Sequence, residues 1–72
     1  MTSKMQNEMF GIITNIDFSN YDTIQTAIEN IENYAKTNNI DIGENAIGPL
    51  KVLHDALNNA ADSLIFNINT LA

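Results

Sequence analysis

Two runs of apolar residues spaced by threes and fours dominate the chain. Tyr21, Ile24, Ile28, Ile31 and Ala35 form the first, and Leu50, Leu53, Leu57, Ala60, Leu64, Ile68 and Leu71 form the second. A helix of 3.6 residues per turn brings residues three and four apart back to the same side, so each run predicts a helix with one face to bury. The second run is the longer and predicts a helix continuous from Leu50 to near Leu71.

The first segment is less one-sided. From Ser3 to Ile16, Met5, Met9, Ile12, Ile13 and Ile16 share one helical face, with Ser3 placed to cap it. Against this, Phe10, Ile12, Ile16 and Phe18 alternate at period two, Thr14 and the isoleucines favour strands, and Gly11 costs a helix about 1 kcal/mol. Helix is the preferred reading of the segment.

The segments between carry helix punctuation. Ser19 followed by Asp22 has the spacing of a capping box, with the carboxylate near the positive end of the helix dipole. Lys36-Thr37-Asn38-Asn39 ends that helix, a cation in the last turn preceding asparagines that tolerate the left-handed conformation. Asp41 and Glu44 are spaced as a second capping box for a short helical turn, and Gly48-Pro49 offers a later, kinked start with proline in the first turn. Helices over roughly 3–16, 20–37 and 48–71 joined by short connectors must run antiparallel to their neighbours. The expected architecture is a single all-α domain over residues 1–72, a small antiparallel three-helix bundle running up, down, up. If the first segment is not helical, the remainder is a two-helix hairpin completed by oligomerisation.

A chain of 72 residues buries one small core whose gain only narrowly exceeds the entropy of ordering the backbone. Disulfides, a structural metal or association usually reinforce such chains, and with no cysteine the first is excluded and the second lacks its commonest ligand. Association with a protein partner or with further copies is the remaining route. Nine acidic residues against three lysines and no arginine give a net charge of −6, which repels nucleic acid and anionic membranes and attracts basic protein surfaces. No stretch approaches the roughly 18 apolar residues of a membrane span, and Gln6, Asn7 and Glu8 stand where a signal peptide needs apolar residues, so the expected location is the cytoplasm. Heavy use of Asn and Ile is compatible with an AT-rich genome such as those of many phages.

No catalytic constellation survives a check of spacing. Asp62-Ser63-Leu64 has the residues of the phosphopantetheine attachment motif of acyl carrier proteins. In that family the serine opens a helix near mid-domain, whereas Ser63 falls well inside the predicted third helix. Asn39 to Glu44 alternates oxygen ligands as a calcium loop does, but glycine falls at position five, where the loop needs it at six, and position twelve is Leu50. His54, the sole histidine, neighbours Asp55, yet adjacent helical residues point about 100° apart and no serine, cysteine or second histidine stands three or four residues away. It is placed instead at the edge of the Leu50, Leu57 and Ala61 face. Glu29 and Glu32 share a helix face, with Lys36 at the right distance to pair Glu32 as an ordinary solvated ion pair. A glycine-rich phosphate loop is missing, so neither an enzyme nor a cofactor is read from the sequence.

The C-terminal residues are apolar over more than one face: Leu64, Ile68 and Leu71 continue the stripe, while Ile65 and Phe66 point elsewhere. Each Ile or Phe that becomes fully buried gains about 1.5–3 kcal/mol, so such surplus points to an interface formed by Ile65, Phe66, Ile68 and Leu71. Folding of the first segment over Ile65 and Phe66 is the competing explanation. The sequence therefore reads as a non-catalytic helical interaction or assembly module that self-associates. Two alternatives are a small acidic phage or mobile-element inhibitor of a nucleic-acid-binding enzyme, and an oligomer that sequesters a small ligand between its subunits.

Overall fold

The computed structural model describes residues 3–71, with side chains for residues 3–67. The protein is all-α: α1 (Ser3–Thr14), α2 (Tyr21–Thr37) and α3 (Pro49–Leu71), with no strand among the described residues. The ambiguous first segment is thus helical, and the three elements form a small three-helix bundle.

α1 stops two residues before the expected Ile16. The Thr14 hydroxyl donates to the Phe10 carbonyl, and the Ile16 amide donates to Ile13 rather than one residue further back, tightening the last turn. Beyond it, Asp17 and Thr23 bond reciprocally: the Asp17 amide donates to the Thr23 hydroxyl oxygen (2.9 Å), and that hydroxyl donates to the Asp17 carbonyl (2.8 Å). This pair holds the α1–α2 connector in shape. Asn20, not Ser19, caps α2, its side-chain oxygen accepting from the Asp22 amide at 3.0 Å. Ser19 is committed elsewhere, since its hydroxyl (2.6 Å) and amide (2.9 Å) both donate to the Asp17 carboxylate. Those two bonds, the hydroxyl first, hold the Asp17 pKa below the ordinary aspartate value.

The end of α2 follows its sequence signal closely. Asn39 takes a φ of 56°, the Ile40 amide reaches back to the Ala35 carbonyl (2.8 Å), and the Asn39 amide donates to Lys36 (3.4 Å). This is a Schellman motif with asparagine in the left-handed position, and Ile40 packs onto the core as that motif's apolar contact. A β-branched residue resists the left-handed conformation, at about 1–2 kcal/mol. Asn39→Val should therefore lower stability by about that amount in urea unfolding, while Asn39→Gly stays near or above the parent. Equal losses from both would trace the effect to the asparagine side chain and away from φ.

Asp41 does not open a helical turn. Its carboxylate accepts from the Gly43 amide at 2.8 Å, an Asx turn that the Ala46 amide continues by donating to Gly43 (3.0 Å). Gly48 then adopts a φ of 133°, which an L side chain rarely does, and turns the chain into α3. Pro49 follows as the first helical residue, where its missing amide hydrogen is no loss.

The core consists of Ile24, Ala27, Ile28, Ile31 and Ala35 from α2 against Leu50, Leu57 and Ala61 from α3. α1 contributes no fully buried residue; its Met9 and Ile12, with Ile16 just beyond its end, pack on the core from its edge. α2 is packed against both other helices, whereas α1 and α3 do not pack on one another. The hairpin of α2 and α3 thus holds the buried centre, and α1 leans on one side of it. The result is elongated, 43 Å long and 15 Å thick.

Candidate interaction surface

α3 is longer than the helix it packs on. Across the hairpin, His54 Nε2 lies 3.0 Å from Glu32 Oε2. Antiparallel helices rise equally per residue, so from that pair Tyr21, the first residue of α2, falls opposite about residue 65. The remainder of α3 extends past its neighbour. Phe66 follows Leu57 by about two and a half turns and points to the opposite side of the helix, with 68% of its surface exposed. Ile65 follows His54 by about three turns and stays on the hairpin side, 39% exposed. The two adjacent residues thus serve different faces. α1 packs on α2 alone among the helices, so it does not fold over them. Ile68 and Leu71, the other two residues expected at this surface, lie outside the described side chains.

A second apolar surface occurs on α1. Met9, Phe10 and Ile13, with Gln6 and with Pro49 from the start of α3, line a shallow trough where α1 and α3 diverge. Phe10, one of these lining residues, has 67% of its surface exposed. Further along the same end of the molecule, Ile47 in the connector and Val52 in the first turn of α3 are also exposed. Sequence spacing assigns Met9 and Ile13 to one buried face and leaves Phe10 out. The available signal was the width of the arc: Met9, Phe10, Ile12, Ile13 and Ile16 together span more of α1 than a single neighbouring helix can cover. No residue lining the trough is charged.

The charged groups are occupied with one another or with solvent. Glu32 meets His54 on α3 and not Lys36 on its own helix. The Asn58 side-chain nitrogen lies 3.4 Å from His54 Nδ1, so the ring is held between Asn58 and Glu32. Lys51 pairs with Asp55 at 2.9 Å one turn along α3. Glu29 is exposed, so the Glu29–Glu32 pair is not a converging carboxylate site. The Tyr34 phenol oxygen is buried and faces the Glu8 carboxylate; burial first, and then the hydrogen bond and charge of Glu8, push its pKa above the ordinary phenol value.

Ser63 is exposed in the interior of α3, away from any helix start, and the Asp41 carboxylate is spent on its Asx turn. Among the described residues, no three His, Asp or Glu side chains are grouped to hold a metal ion, and no helix is long and apolar enough to cross a membrane. No family model, characterised protein or solved structure matches this chain.

Proposed function

We propose that this chain is a non-catalytic helical interaction module that associates with further copies of itself. The observation that carries this reading is surface area. A folded monomer of 8.0 kDa exposes about 4,500 Å² by the usual scaling with mass, whereas this chain exposes 5082 Å². The surplus of about 600 Å² is the area that each partner gives up in a small standard interface. Phe10, Val52 and Phe66 are large apolar side chains left exposed on this elongated chain, and burying them between copies would be favourable.

An acidic inhibitor would need a row of uncommitted carboxylates facing a basic groove. Glu32 and Asp55 already have cationic or hydrogen-bonding partners, so this second reading has less support. Native mass separates the two. By analytical ultracentrifugation the chain should exceed its 8.0 kDa protomer mass, and added salt should leave the assembly intact or tighten it, since apolar contact is gained while like charges are screened. A particle of protomer mass at every concentration would end the self-association reading.

A further inference from the structure

We infer that α1 is a detachable arm, which swings off α2 as a unit about Asn15 and Ile16 while the hairpin of α2 and α3 stays folded. Docking and release of this arm is a conformational device built into the single chain, and it does not depend on self-association.

Two faces of α2 receive the other helices, and they differ in kind. The stripe toward α3 is Ile24, Ile28, Ile31 and Ala35, all buried. Roughly 100° round the helix lies the stripe toward α1, Thr23, Ala27, Asn30 and Tyr34, which with Thr26 and Asn33 lines the hollows between these two helices. Ala27 is the only one of those six that is fully buried, and Thr26, Asn30 and Asn33 are exposed even with α1 in place. From its own side α1 offers the half-buried Met9 and Ile12 and no fully buried residue. Apolar burial sets the strength of a helix contact, so α1 is held far more weakly than α2 and α3 hold each other. A segment with few buried apolar contacts opens before the rest of the molecule does.

The hinge follows from where the connector is tied down. The Asp17 backbone bonds through both its amide and its carbonyl to the Thr23 hydroxyl, and the Asp17 carboxylate accepts both Ser19 donors. The connector from Asp17 onward is therefore fastened to the first turn of α2 and stays with it. Because α1 ends at Thr14, only Asn15 and Ile16 lie between the two fastened parts, spanned by the 3.3 Å bond from the Ile16 amide to Ile13. Rotation there leaves the Asn20 cap of α2 in place. It also leaves α3 undisturbed, since α1 does not pack on it. Release uncovers Met9 and Ile12 of α1 together with Ala27 of α2.

The chain has no cysteine, so one introduced thiol reports opening directly. Ala27 lies in the contact with α1 and Ala61 in the contact between α2 and α3, and both are 2% exposed. Under native conditions, the Ala27→Cys thiol should react with a water-soluble disulfide reagent at least about tenfold faster than the Ala61→Cys thiol, because it needs only the arm to open. Native-state hydrogen exchange gives a second readout. In the parent, the amides from Met9 to Thr14 should share one protection value, below that of the interior amides of α2 and α3. Ile28→Val truncates the edge of the α3-facing stripe that lies farthest from α1. It should speed exchange in α2 and α3 by about 2- to 12-fold and leave α1 unchanged. Equal reaction of the two thiols, or α1 amides that quicken by the same factor as those of α2 and α3, would mean that α1 leaves only when the whole chain unfolds, and the inference falls. Protection that rises steadily from the ends of α1 inward, with no shared value, is fraying and overturns it equally. The exchange comparison decides alone if either cysteine variant fails to fold.

Discussion

Leu57→Asp is expected to leave a chain with no cooperative thermal transition. Leu57 is 2% exposed, lies in the middle of the stripe on α3 and faces the α2 isoleucines across the hairpin. Replacing it removes a side chain whose truncation alone costs about 2–5 kcal/mol, and it buries a carboxylate that no cation is placed to meet. At about 0.05–0.15 kcal/mol per residue, a chain of 72 residues has a total stability of only about 4–11 kcal/mol, so the two penalties together exceed or match it. Circular dichroism during heating checks this: the variant should lose helical signal gradually from the lowest temperature. Leu57→Met, of similar volume, should cost less than about 1.5 kcal/mol and keep a sharp melt. A cooperative melt of Leu57→Asp near that of the parent would place residue 57 outside the core.

The features legible in the sequence are those that burial dictates. Ile24, Ile28, Ile31, Leu50 and Leu57 recur at helical spacing because one continuous face of each helix meets the other, and those faces are where the structure has its core. Local cap chemistry was less legible because side chains compete. Ser19 is a good cap by type, but Asp17 takes both its donors, and Asn20 next in line receives the role. Asp41 met the same fate in the connector, where bonding to Gly43 gave a turn and no helix. Ile40 and Ile42 join the core from a segment without periodicity, so no pattern marks them.

The interaction surface depends on a fact that spacing does not contain, namely which helices touch. A sequence predicts that α1 has an apolar face, and antiparallel connectors predict that it lies beside α2. Neither says whether it also reaches α3. In a closed bundle the other side of Met9, together with Ile13, would be covered by α3, and Phe10 would stand at a sealed edge. Here α1 leans on α2 alone, and the gap becomes the trough. The end of α3 illustrates the complementary case: the surplus of apolar residues is visible in the sequence, but Phe66 stays exposed because it points away from α2 and α1 does not pack on α3.

Because α2 is the one helix packed on both others, a cavity at its centre should be felt across the whole molecule. Ile31→Ala is the corresponding experiment. Ile31 is fully buried, midway along α2, and its truncation should cost about 2–5 kcal/mol through lost transfer energy and an incompletely collapsed void. For a domain of this size, 1 kcal/mol shifts the melting temperature by about 4–8 °C, so a fall of at least about 8 °C is expected in calorimetry. Ile31→Val, which removes one methyl group, should cost about 0.5–1.5 kcal/mol. Ile12→Ala on α1 should cost less than Ile31→Ala, since Ile12 is half-buried and reaches the core only from its edge. Association adds a second dimension to this series. If native copies bind one another, raising the protein concentration should recover part of the melting temperature that Ile31→Ala loses, because a partner that binds only the folded chain stabilises it by mass action. A melting temperature of Ile31→Ala that is independent of concentration, in a chain that still assembles, would mean that the interface survives unfolding of the core and is carried by helices that do not need it.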